Sequence, residues 1–113
     1  DPIHNSQTVP IIVIVSEDTV SYGEIFAGVF KDLGRAKVVG QTSLGNVEVL
    51  HGYNFDDNSQ VWIASETFYS ATSETNFELS GIIPDVEAFA EWDTITFETD
   101  PSIKAALGLL GHQ

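Results

Sequence analysis

Among the residues able to do chemistry, Ser21 has the most informative position. It follows the β-branched run Ile11-Ile12-Val13-Ile14-Val15 and opens a stretch with helical spacing. Turns from strand to helix present side chains at the strand's C-terminal edge, where α/β proteins place their sites. At a helix start, unpaired N–H groups and the positive end of the dipole favour developing negative charge. A serine so placed can attack a carbonyl carbon while neighbouring N–H groups hold the oxyanion. The plainer reading of the same position is a helix cap, and on position alone the cap is the commoner role.

The other chemistry-bearing residues are more scattered. His51 is the nearest candidate for a base. If Asn46, Glu48 and Leu50 share one strand face, however, His51 points to the other. His4 belongs to a polar leading segment and His112 to the tail. Asp56-Asp57-Asn58 has the look of a cation loop, but a calcium loop needs acids at alternate positions, a Gly and a distal Glu. A hairpin turn explains those residues. Trp62, Phe68 and Tyr69 read as core or groove wall rather than as a stacking platform for bases.

The elements that must position Ser21 follow from patterning. The run from Pro10 to Val15 lacks alternation, as strands buried on both faces do. Tyr22, Ile25, Phe26, Val29, Phe30 and Leu33 fall at the three-and-four spacing of a helix with one buried face, and Gly34 stops it. A short strand is expected at Ala36–Val39. A hairpin is expected from Val47–Phe55, turning at Asp56–Ser59 and returning over Gln60–Ala64. Ser70–Thr75 reads as a polar loop, Gly81–Val86 as a turn and strand, and Thr94–Phe97 as a brief strand. Asp100-Pro101-Ser102 starts a last helix reaching about Leu110. Together these elements predict a single α/β domain over residues 1–113.

Composition narrows the function classes. The 113 residues are 42% hydrophobic, enough to fill the core of one domain; a domain of this size buries roughly 65% of its unfolded surface. With 17 acids against 4 Lys and Arg, the net charge of −13 disfavours nucleic acid and anionic membrane surfaces as partners. The longest apolar run is far short of the ~20 residues that a bilayer demands. Without cysteine there is no disulfide and no thiolate metal site. The chain holds no methionine and begins Asp1-Pro2, so it reads as a processed or excised piece of something longer.

The surroundings of Ser21 tip the balance toward chemistry. Thr19-Val20-Ser21-Tyr22-Gly23-Glu24-Ile25, after the hydrophobic strand, resembles the nucleophile segment of the tail-specific, C-terminal processing serine peptidases. The likeness continues through Ala27-Gly28, Gly34-Arg35-Ala36, Val38-Val39-Gly40-Gln41-Thr42 and Gly45, and ends at Gly81-Ile82-Ile83-Pro84-Asp85-Val86. One such piece is weak; the ordered set is specific.

The resemblance implies a crotonase-like ββα fold. It also implies the C-terminal portion of a catalytic domain, an extracytoplasmic setting, and hydrolysis of polypeptide substrates near their C-termini without a cofactor. On it, Ser21 is the nucleophile and the Tyr22 N–H contributes to the oxyanion hole. The family's lysine base follows the glycine matched by Gly45, and here that position is Asn46, whose amide has no useful basicity. The glutamine that typically follows is Leu50, and Lys37 does not replace the missing lysine by alignment. Tricorn-like relatives use a histidine from the N-terminal part, supported by a Glu shortly before the Gly-x-x-Pro-Asp element. Glu78 matches that Glu. The rival reading is a catalytically inactive, peptide-binding pseudo-peptidase. The remaining partners expected are the upstream part of the same chain or a second copy.

Overall fold

The computed structural model describes residues 3, 4 and 6–111. Its elements run β1 (Ile12–Val15), α1 (Tyr22–Asp32), β2 (Lys37–Gly40), β3 (Val49–Asn54), β4 (Gln60–Glu66), α2 (Phe77–Ser80), β5 (Val86–Glu87), a 3-10 turn (Trp92–Thr94) and α3 (Pro101–Leu109). The strands form a three-stranded sheet in the order β1-β2-β5 and a separate two-stranded sheet, β3-β4. The three-stranded sheet is parallel, with Val13 beside Val38 and Val39 beside Val86. A parallel β1–β2 pair needs a crossover, and α1 supplies it. Among the described residues, no helix is long and apolar enough to cross a membrane.

The core lies between the sheet and α1. Val15, Ala27, Val38, Val47, Phe77 and Ile82 form it, with Val13, Ile25 and Phe68 packed against them. Strand side chains alternate between faces. Val13, Val15 and Val38 therefore look toward α1, and the face bearing Ile14 and Val39 is left to α3, which packs on β1 and β2. Asp100 accepts hydrogen bonds from the N–H groups of Ser102 and Ile103, and Pro101 occupies the first turn, so α3 starts where its sequence says.

Three expectations need correction. β1 is not buried on both faces: Ile14 is 46% exposed, because β1 is the edge strand of a three-stranded sheet. The side of α1 that enters the core is not the large apolar one either. Glu24, Ala27 and Gly28 are buried, whereas Tyr22, Phe26, Val29 and Leu33 are exposed. Close approach is the reason. A Cβ added to Gly28 would lie 2.7 Å from the Phe77 ring and 3.0 Å from Ile82 Cδ1, so no side chain fits at that point of the face. Phe26 and Phe30 stack on the outer side, their centroids 4.5 Å apart.

The third correction concerns Thr94–Phe97, which forms no strand. Trp92–Thr94 is a 3-10 turn, and the Thr96 N–H donates to Thr99 Oγ1 at 2.7 Å. That side-chain acceptor takes the donor that a sheet ladder would need.

The β3–β4 hairpin forms as expected, although β3 begins at Val49 and Val47 is buried in the extended segment ahead of it. Both faces of the ribbon are in solvent. Trp62 lies across Gly52, its indole 2.9 Å from where a Cβ would stand. At the tip, Asp57 Oδ1 accepts from the Ser59 N–H and hydroxyl, which holds its carboxyl below the ordinary value. His112 lies outside the described residues.

Candidate active site

Ser21 caps α1 with φ 57° and ψ −126°, a conformation that costs energy in any residue with a Cβ. His4, Asn58 and Glu74 also have positive φ, but they sit in exposed turns. Ser21 is half-buried at the junction of sheet and helix, so surrounding structure must hold it there.

That structure is the extended segment from Ser43 to Val47. Thr19 C=O accepts from Leu44 N at 3.0 Å, and Ser21 N donates to Asn46 C=O at 2.8 Å. Glu24, one turn into α1, completes the link. Its Oε1 accepts from Ser43 Oγ at 2.5 Å and Gly45 N at 2.6 Å. Its Oε2 accepts from Asn46 N at 2.9 Å and Ser21 N at 3.1 Å. Glu24 is fully buried, and four donors replace the water it has lost.

The far side of the segment is bonded too. Ser43 N donates to Ile82 C=O at 3.3 Å, and Ile82 N returns to Ser43 Oγ at 2.6 Å. Val47 N donates to Glu78 Oε2 at 2.6 Å. Glu78 stands in α2, a single helical turn just ahead of the Gly81–Val86 element. The turn forms because Asn76 Oδ1 accepts from Glu78 N and Phe77 anchors it in the core. Ser21 and Glu78 thus attach, from different elements, to the consecutive residues Asn46 and Val47.

Tyr22 is 75% exposed, and its N–H has no hydrogen-bond partner among the described residues. Asn46 uses both backbone groups while its side chain faces solvent. His51 stands in the hairpin opposite Ile63, its ring 5.0 Å from Tyr53, and it is not brought to Ser21 by any contact. Leu50 is exposed on β3. Lys37 is at the opposite end of β2 from the site, 3.4 Å from Asp85. Phe68 packs on the core, whereas Trp62 and Tyr69 are exposed.

Glu78 lines a cleft of about 370 Å³ together with Glu48, Ser65, Glu66 and Thr67. Glu48 Oε2 is buried there with no hydrogen-bond partner among the described residues. Acidic walls of this kind favour a cationic neighbour. Among the described residues, no three His, Asp or Glu side chains are arranged to hold a metal ion.

Away from the site, Asp85 fixes the Gly81–Val86 element to the sheet. Its N–H donates to Val38 C=O at 2.7 Å and its Oδ2 accepts from Val38 N at 2.8 Å. Partial burial pushes its carboxyl up, but the Val38 N–H together with Lys31 and Lys37 outweighs that, and the net result is below the ordinary value.

The residue that sequence reasoning missed is Glu24. Its signal was available in part, since Ser followed three residues later by Glu is the pattern of a capping box. Nothing local shows that the same carboxylate reaches residues 43–46.

A carboxyl-terminal-processing protease from Synechocystis is 32% identical over 107 residues, covering 89% of this chain and 24% of its own length. Among solved structures, the photosystem II D1 C-terminal processing protease superposes with a TM-score of 0.64 at 21% identity, over 84% of this chain and 24% of that one. The tricorn protease gives 0.63 at 27% identity, over 90% of this chain and 10% of that one. The chain spans 15% to 25% of the length of the curated carboxyl-terminal-processing enzymes it matches. The model of peptidase family S41 matches residues 2–88, most of the sequence, and the chain belongs to that family of C-terminal processing peptidases.

Proposed function

We propose that Ser21 is the nucleophile of a serine endopeptidase that cleaves polypeptides near their C-termini, this chain being the C-terminal portion of its catalytic domain. The observation that carries the reading is the Ser21 turn. A half-buried serine is held in a strained conformation at a helix start, beside a Tyr22 N–H that has no partner among the described residues. Attack by Ser21 Oγ would place the oxyanion near that N–H and the positive end of α1, where charge develops most favourably. The parallel β1–β2 pair with its α1 crossover is consistent with a crotonase-like ββα arrangement.

The general base comes from outside residues 1–113, since Asn46 stands where the family carries lysine. We assign it to a histidine oriented by Glu78. One Glu78 oxygen is taken by Val47 N, and the acidic cleft favours an imidazolium during acyl transfer. An extracytoplasmic location rests on family membership alone. The alternative, an inactive peptide-binding relative, is favoured by Asn46 itself, whose side chain is exposed and meets no basic group among the described residues.

A serine-reactive fluorophosphonate applied to the full-length protein tests this reading. Labelling is expected, lost in Ser21→Ala and kept in Ser16→Ala. A protein that is never labelled belongs to the inactive class. Residues 1–113 alone are expected to hydrolyse nothing, and turnover by them would mean that the base was misassigned.

A further inference from the structure

We infer that Glu24 is a positioning residue: its buried carboxylate clamps the Ser21 turn to the segment carrying residue 46 and so fixes where the Ser21 hydroxyl stands. The inference rests on Ser21 being the nucleophile, and it names a group outside the usual nucleophile, base and oxyanion set.

A capping box needs one bond from the third helical side chain to the cap N–H. Glu24 makes that bond at 3.1 Å and three more, all to Ser43, Gly45 and Asn46, which lie outside the helix. Capping therefore does not explain its burial. A fully buried carboxylate is costly to desolvate, and an apolar side chain would fill the same space more cheaply. What an apolar residue could not do is hold two chain segments, 25 positions apart at Ser21 and Asn46, in a single geometry.

The consequences for the site are specific. The Ser21 N–H is committed to Asn46 C=O and Glu24, so it is turned away from any oxyanion, and Tyr22 is left as the donor. The disfavoured backbone of Ser21 is held at its N–H by two acceptors, Glu24 within its own helix and Asn46 C=O across from it. Ser43 Oγ passes the same constraint to Ile82 N, and hence to the element carrying Glu78. Loosening Glu24 would let the nucleophile relax from its strained turn while the sheet stays intact.

The test uses Glu24→Gln in the full-length protein, which keeps the size but turns one acceptor into a donor facing other donors. The kcat is expected to fall about 10²-fold, the loss typical of a displacement near 1 Å. KM should stay within about twofold, because substrate contacts are untouched. Fluorophosphonate labelling should slow in parallel. The Ser21, Gly45 and Asn46 amides should exchange at least about tenfold faster, with β1 and β2 amides unchanged. A folded Glu24→Gln protein in which these amides exchange as before overturns the inference, as does an unchanged kcat in a labelled, active parent. Should Glu24→Gln not fold, Ser43→Ala removes one arm of the clamp under the same readouts, and unchanged Ser21 and Asn46 amides in it refute the clamp equally. The amide readout decides the matter even in a parent that is never labelled, where it is the peptidase reading that fails.

Discussion

Replacing Gly81 by alanine should be among the most damaging single-methyl changes in this chain. Gly81 has φ 62° and ψ −172°, a region open essentially to glycine alone. An added Cβ would stand 2.3 Å from Ser43 C=O and 3.1 Å from Ser43 Oγ, so backbone and not a flexible side chain is in the way. The strain contributes of order 1–3 kcal/mol. Displacing Ser43 also endangers its two hydrogen bonds to Ile82, at about 0.5–1.5 kcal/mol each. Against these stands a gain of about 0.4–1 kcal/mol from stiffening the unfolded chain. The balance is a loss of about 1–6 kcal/mol, centred on ~3, a large share of the ~5–15 kcal/mol that holds a domain together. Urea denaturation measures it: at about 1–3 kcal/mol per molar urea, the midpoint should drop by about 1–2 M with the slope unchanged. Gly108→Ala is the internal control. Nothing lies within 4 Å of its would-be Cβ, and alanine in α3 should stabilise by about 0.5–1 kcal/mol. Gly81→Ala within about 0.5 kcal/mol of the parent, the range of ordinary surface changes, would falsify the account of the Ser43–Ile82 junction.

Three further outcomes are expected. Glu78→Gln can still accept from Val47 N, so stability should change by less than about 0.5 kcal/mol. Turnover should nevertheless fall on the order of 10²–10⁴-fold, and an unaltered rate removes Glu78 from the mechanism. Adding Asn46→Lys to Glu78→Gln in the full-length protein should restore part of that turnover, because the Asn46 backbone is already bonded to Ser21; a folded double variant with no recovery refutes the assignment of position 46. Asp85 has a depressed carboxyl, so its contribution to stability is present above the ordinary value of 3.8 and is lost as pH falls through the lower folded value. The acid limb of a stability–pH curve should therefore be shallower in Asp85→Asn, and superimposable curves contradict the arrangement.

What was legible in the sequence was what local patterning specifies. The β-branched run of β1, the three-and-four spacing of α1, the Gly34 stop and the Asp100-Pro101 start of α3 each read correctly, because period and punctuation are local. The buried face of α1 was illegible for the opposite reason. It is chosen by how closely Phe77 and Ile82 approach Gly28, and partners some fifty residues away leave no trace in a helical period. The single turn of α2 is too short to show a period and depends on Asn76 and a buried Phe77. Thr94–Phe97 has strand composition, but Thr99 competes for its backbone. At the site, the order of motifs pointed to Ser21, Asn46 and Glu78. It did not reveal that one extended segment joins them, and the base expected from elsewhere has no residue here to find.

If position 46 is where the family carries its lysine, as proposed, the chain lacks that side chain while its backbone there is fully bonded. The Asn46 N–H and C=O carry the bonds to Glu24 and Ser21, while its side chain stays in solvent. Any residue but proline could make the same two backbone bonds. Glu24, Ser43 and Gly81 differ in kind: there the side chain, or its absence, is itself the constraint. Chemistry at position 46 is thus uncoupled from the fold, and an active enzyme with a borrowed base would share its backbone with an inactive relative. Ser21 reactivity, rather than stability, separates the two. Asn46→Lys is the substitution that should raise that reactivity without moving the backbone, and Glu24→Gln the one that should lower it by moving the backbone alone.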